Sequence, residues 1–98
     1  MKYSIVIATH NRAADLRGTL ASLATLVTPA PWEVIVVDNN CTDDTPAVVR
    51  DASATFPVPL RYAFESVAGR CAALNKGIAM AAGEIIVTTD DDVRVPAD

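Results

Sequence analysis

The sequence predicts an α/β fold, a three-layer α/β/α sandwich around a four-stranded parallel sheet. Two observations carry that expectation. Segments with strand character and segments with helical periodicity alternate from one end of the 98 residues to the other. The strand segments are continuous apolar runs, as expected when helices cover both faces of a sheet. The composition agrees: 51% hydrophobic, 20% charged, with no repeat and no biased tract. A chain of this length makes one small domain with little stability in reserve.

The elements follow in order. Tyr3 to Ala8 is a β-branched run suited to a central strand. Asn11 is expected to cap the next helix, with Asp15 near its positive end. Leu16, Leu20, Leu23 and Val27 recur at helical spacing and form its buried stripe, and Thr28-Pro29-Ala30-Pro31 ends it. Val34 to Val37 is a second strand, too apolar to leave one face in water. Thr45-Pro46 pairs a capping hydroxyl with proline at the first helical position, and this helix runs through Val48, Val49 and Ala52 to stop by Phe56-Pro57. Leu60 to Phe64 is a short third strand. Residues 69–82 give a third helix, with Cys71, Leu74, Ile78 and Ala81 inward and Gly83 as its stop. Glu84 to Thr89 is the fourth strand and reads as buried.

Charge and targeting signals narrow the function. A net charge of -4 and a pI near 4.7 argue against nucleic acid or an anionic membrane as partner. No apolar run approaches the length of a membrane span, and Met1-Lys2-Tyr3 leads directly into a strand, so a cytoplasmic protein is expected, or a membrane-peripheral one in a longer form. Cys41 and Cys71 are isolated thiols, expected to be reduced and inert.

Right-handed crossovers place all strand C-termini on one rim, where ligands bind in such sheets. Three polar clusters fall there: Thr9-His10-Asn11-Arg12, Asp38-Asn39-Asn40 and Asp90-Asp91-Asp92. Adjacent acids at the mouth of an apolar strand repel one another and need either a divalent cation or a solvated turn. Asp38 reads as a ligand contact or as a cap for its own turn. His10 reads as a pocket wall, since no carboxylate partner is evident. Asp43 and Asp44 read as helix-start acids, Arg70 as an exposed charge, and Asn75 as a hydrogen bonder within its helix.

Four blocks in register resemble the nucleotide-binding portion of the family 2, inverting glycosyltransferases of GT-A fold. They are Ser4-Ile5-Val6-Ile7-Ala8-Thr9-His10-Asn11-Arg12, Val37-Asp38-Asn39-Asn40-Cys41-Thr42-Asp43-Asp44-Thr45, Gly69-Arg70-Cys71-Ala72-Ala73-Leu74-Asn75-Lys76-Gly77 and Asp90-Asp91-Asp92. The similarity covers nearly the whole chain. Cys41 stands where serine is usual, and Leu74 where many members carry arginine, a cationic role that Arg70 is expected to assume. The resemblance implies a strand order of 3-2-1-4, the Rossmann-like first half of the GT-A fold. It implies a nucleoside-diphosphate sugar as partner, a UDP-sugar favoured, with Mn²⁺ or Mg²⁺ as cofactor. Asp90 and Asp92 would hold the metal. Thr9, His10, Asn11, Arg12, Asp38, Asn40, Arg70, Asp90 and Asp91 would contact the nucleotide, Asp38 through the imide N–H of uracil.

The family's general base and acceptor pocket lie beyond the metal motif. The 98 residues therefore read as a single donor-binding domain truncated shortly after it, inactive alone and prone to self-association through uncovered surfaces. The acceptor and the transferred sugar stay open. The rival class is a non-catalytic nucleotide-binding or regulatory module. A phosphatase of the haloacid dehalogenase type would place its acids after the first strand, and a receiver domain would place its acid after a middle strand. A dinucleotide fold would need glycine in the turn at residues 9–12.

Overall fold

A computed structural model describes residues 2–26 and 30–91. Val27, Thr28 and Pro29, expected at the end of the first helix, lie outside the described residues, as do Asp92, expected to bind metal, and Asp98. The chain runs β1 (Tyr3–Thr9), α1 (Ala13–Leu23), β2 (Trp32–Asp38), α2 (Thr45–Ser53), β3 (Leu60–Phe64), α3 (Arg70–Met80) and β4 (Ile85–Thr89). All pairings are parallel and the strand order is β3-β2-β1-β4, as expected. Among the described residues no helix is long and apolar enough to cross a membrane.

The β2 strand is buried from end to end. Its side chains alternate between two cores. On one face Trp32, Val34 and Val36 meet Ile7 of β1, Leu16, Leu20 and Leu23 of α1, and Val48 and Val49 of α2. On the other, Ile35 and Val37 meet Val6, Ala63 and Ala73 of α3. These are the three expected layers. The register aligns Thr9 with Asp38, and Asp38 with Phe64, so three strand ends share one rim.

Several local expectations are corrected. Asn11 does not cap α1; Arg12 holds that position, and Asn11 stands before it at φ 52°. The first amide of α1, on Ala13, is instead satisfied by the Asp43 carboxylate, 3.0 Å away and from the far side of β2. Thr45 is the first residue of α2 rather than its cap, and its hydroxyl and amide both donate to Asp43 Oδ1 (2.6 and 3.1 Å). One carboxylate thus caps two helices.

The inward face of α3 also differs. Cys71 and Ile78 are exposed, while Ala73 and Gly77 are buried, flanked by partly buried Leu74, Met80 and Ala81. Small residues bring the helix axis close to the sheet, and the larger apolar side chains are left at the margin. Gly83 does not end α3 through a left-handed turn. Its amide donates to Ser4 Oγ (2.8 Å), and a Cβ there would sit 2.6 Å from the same oxygen, so the glycine permits close passage beside β1.

The fourth strand is not buried. Ile85, Ile86 and Val87 are each about 40% exposed (43%, 39% and 44%), because β4 lies at the sheet edge. Continuous apolarity, which suits a central strand, here marks an uncovered edge.

The Gly77 contact is testable. A Cβ on Gly77 would lie 2.3 Å from Val6 Cγ1 and 3.1 Å from Val37 Cγ2. Glycine to alanine inside a helix normally gains about 1 kcal/mol. The overlap should exceed that gain, so Gly77→Ala is expected to lose about 1–3 kcal/mol of stability, read from the urea midpoint. An unchanged or raised midpoint would contradict this packing.

Candidate functional site

A cavity of about 380 Å³ opens at the rim, between the loop after β1, the exit of β4 and the start of α3. Six of the nine residues expected to contact a nucleotide line it: Thr9, His10, Arg12, Arg70, Asp90 and Asp91. Ala8 and Asn39 complete the wall. Asn11, Asp38 and Asn40 are not on it.

The acids divide by role. Thr89 lies level with Ile7, which carries the chain on to set Asp91 beside Thr9. Asp91 is 6% exposed and turns inward: Thr9 Oγ1 donates to Oδ2 (2.9 Å), Arg12 Nη1 lies 3.6 Å from Oδ1, and the Thr19 hydroxyl donates to its carbonyl (2.8 Å). Asp90 turns outward and meets Arg70 Nη2 at 2.8 Å, with both side chains more than half exposed. An exposed pair of this kind contributes little stability and parts easily.

Asn39 organises the rim and was not singled out among the site residues expected from sequence. Its amide Nδ2 donates to the carbonyls of Glu65 (3.0 Å) and Val67 (2.7 Å), and its Oδ1 accepts from Gly69 N–H (3.0 Å). Its backbone N–H donates to Thr9 O (2.9 Å), and its own carbonyl accepts from His10 Nδ1 (2.6 Å). A carbonyl only accepts, so Nδ1 carries the proton and Nε2 of the neutral ring is an acceptor. One buried residue, through backbone and side chain together, therefore ties the β1, β2 and β3 exits and sets Gly69, the residue before Arg70. In the sequence the only sign was its place between two polar residues after an apolar strand.

Asp38 is 1% exposed. Its Oδ1 accepts from Cys41 N–H (2.8 Å), closing the turn, and its Oδ2 accepts from the Tyr62 hydroxyl (2.5 Å). Nothing in the sequence singled out Tyr62, whose partner lies on the neighbouring strand. Asn11 and Asn40 both hold positive φ (52° and 61°), a conformation asparagine tolerates. Asn11 Oδ1 accepts from Thr42, and Asn40 Nδ2 donates to Ser66 O, so both brace loops behind the cavity. Cys41 is half-buried and Cys71 exposed, both unpaired by disulfide. Burial pushes the Cys41 thiol up, which fits an inert role.

A second polar cluster lies at the opposite end of the sheet. Glu33, almost wholly buried, accepts from Ser4 Oγ (2.7 Å), Ala82 N–H (2.8 Å) and Arg61 Nη1 (3.2 Å). Burial alone would push its carboxyl up, yet these donors outweigh it and hold the group below its ordinary range. Among the described residues no buried side-chain polar atom lacks a partner.

A parallel α/β sheet with charges of both signs around a cavity at its strand C-termini defines a ligand-binding α/β domain. The profile of glycosyl transferase family 2 matches residues 4–98, and the chain belongs to that family. It is 31% identical over 98 residues to a beta-monoglucosyldiacylglycerol synthase of a Nostoc species, covering 97% of this chain and 21% of that protein. It is 37% identical over 93 residues to validoxylamine A glucosyltransferase of Streptomyces hygroscopicus subsp. limoneus, covering 92% and 20%. Among solved structures, a mannosyltransferase from Pyrobaculum calidifontis in complex with GDP-Man and Mn²⁺ superposes with a TM-score of 0.87 at 33% identity, over 97% of this chain and 28% of that one. TarS 1-349 of S. aureus in complex with UDP gives 0.88 at 26% identity, over 100% and 29%. The chain thus spans about a fifth to a third of the relatives it matches.

The double cap makes a pH prediction. The Thr45 hydroxyl foremost, and then the helix amides, hold the Asp43 carboxyl below its ordinary value against a smaller upward push from burial. A carboxylate depressed in the folded state stabilises fully above its unfolded pKa, near pH 4, and that contribution is lost as pH falls through the lower folded value. Asp43→Asn should therefore reduce stability at pH 7 and flatten the decline below about pH 4, measured by urea melts at each pH. Parallel curves for the two proteins would refute the cap.

Proposed function

We propose that this chain forms the donor-binding part of a glycosyltransferase that uses a nucleoside-diphosphate sugar, a UDP-sugar favoured. The observation that carries this reading is the pairing of Arg70 with Asp90 across a cavity at the sheet rim. A diphosphate needs cationic groups, and a metal that neutralises it needs carboxylates. Both stand here side by side, and exposed enough to change partners. The similar structures, solved with GDP-Man and Mn²⁺ and with UDP, support the same ligand class.

Mn²⁺ or Mg²⁺ fits the donor set. Among the described residues no three His, Cys, Asp or Glu side chains gather into a protein-only metal cage. The outward Asp90 carboxylate instead suits a hard cation shared with substrate phosphates. In this reading Asp90 and Asp92 hold the metal, which supplies Lewis-acid neutralisation of the leaving diphosphate. Arg70, at the first position of α3, takes a phosphate with help from the positive end of the helix. Arg12 adds positive potential from the opposite wall. Thr9 and Arg12 hold Asp91 inward, which favours outward presentation of the acid before it. Asp38 takes the N–H of the base, and Asn11 and Asn40 fix the loops around it.

Of the two described carboxylates that line the cavity, Asp90 is assigned to the metal and Asp91 is engaged, so neither is assigned as general base. Asp38, Asp91 and Glu33 are buried and engaged, and Asp43 caps helices. The 98-residue chain is therefore expected to bind a donor without transferring its sugar, which for the isolated chain coincides with a nucleotide-binding module.

Calorimetric titration of UDP with Mn²⁺, then with EDTA, tests the reading. Binding should appear with the metal, vanish with EDTA, and weaken about tenfold or more in Asp92→Ala and Asp90→Ala. UDP binding untouched by EDTA and by both substitutions would sink it. The apolar edge of β4 should also drive self-association, seen as a sedimentation coefficient that rises with concentration and is suppressed in Val87→Lys. A concentration-independent value would count against that surface.

A further inference from the structure

We propose that Tyr62 is a displaceable lid over Asp38, its hydroxyl occupying the acceptor that a nucleobase N–H takes. The inference rests on the donor-binding reading above and adds to it a residue that selects the base.

Asp38 is 1% exposed, so no ligand reaches its carboxylate as it stands. One oxygen is committed to Cys41 N–H, three residues on in the same turn, a bond built into the backbone. The other is held by Tyr62. Tyr62 is the partner able to leave. It projects from β3, the outermost strand on its side of the sheet, and is 41% exposed, so its ring has solvent to turn into. Phe64, level with Asp38 and two residues beyond Tyr62, lies on the same face and is half-exposed, leaving an aromatic surface beside the uncovered carboxylate. Burial, and then the hydrogen bond to Asp38 and its charge, push the Tyr62 phenol well up, so it remains a donor across the working pH range.

A carboxylate only accepts, and the group that replaces the phenol must donate. Uracil N3–H and guanine N1–H satisfy that. At the same ring position cytosine N3 and adenine N1 present lone pairs that repel the carboxylate, and their donors on that edge, the exocyclic amines, reach it only from a shifted pose. The lid thus works as a comparator. A base with a ring N–H exchanges one hydrogen bond for another in place, while a base with a ring lone pair must shift before its amine can do so.

The test is calorimetry of UDP, CDP and ADP with Mn²⁺ on the wild-type chain and on Tyr62→Phe, with thermal melts to confirm that both are folded. Removing the hydroxyl leaves the Asp38 oxygen without its partner in the free protein. UDP should then bind roughly three- to tenfold more tightly to Tyr62→Phe, with CDP and ADP unimproved. A second readout needs no variant: UDP should raise the reactivity of Tyr62 toward tetranitromethane in the wild type and leave Tyr3 unchanged. UDP binding by the wild type with no gain in Tyr62→Phe, an equal gain for CDP and ADP, or protection of Tyr62 by UDP overturns the lid and leaves the donor site standing. No UDP binding by either protein overturns the lid together with the donor reading.

Discussion

Every polar group on β2 must find its partner inside the protein, because the strand is buried along its whole length. Much of the remaining structure follows from that constraint. A buried carboxylate costs several kcal/mol unless its charge is paired and its lone pairs are used. At the start of β2, Glu33 draws in Ser4 from β1, Arg61 from β3 and the amide of Ala82 from the chain leaving α3. At its end, Asp38 and Asn39 draw in Tyr62, the Cys41 turn and the loop before α3. The apolar middle supplies the two cores, while its polar ends fix which neighbours sit where. The rim that carries the cavity is thus positioned by the same strand that holds the fold together.

Rim residues fall into two physical kinds. Asn39 is spent on backbone carbonyls and an amide, Asp43 and Asp91 on backbone and threonine donors, and together they hold the loops in place. Arg70 and Asp90 are exposed, paired only with each other among the contacts described here, and cheap to rearrange. A recognition site needs both, since charges that rearrange are useful only on a frame that does not.

Legibility in the sequence followed the same division. The alternation of elements, their parallel pairing and the meeting of three polar clusters on one rim were readable because they rest on periodicity and on handedness. The four motif blocks carried the strand order. Features that depend on a partner from another strand were not readable. Asp43 capping α1 from across β2, Asn39 joining three exits, and the Tyr62–Asp38 and Glu33–Arg61 contacts each need the assembled sheet before they can be seen. The inward face of α3 was misjudged because hydrophobicity points to Ile78 and Cys71, whereas close approach to Val6 selects Ala73 and Gly77. An apolar run such as Ile85 to Val87 likewise does not say whether it lies at the centre of a sheet or at its edge.

The strand order also bears on how the domain is made. Because β1 sits between β2 and β4, it has one neighbour within reach early in synthesis and the other only after residue 85. Three strands and both cores on β2 can assemble while β1 still presents a vacant flank to the cell. The bond from Thr9 to Asp91 spans 82 residues and must wait for that late strand. Translation order therefore delivers the central strands before the charged wall of the cavity, and a nascent chain halted before Asp90 would lack both acids that line it.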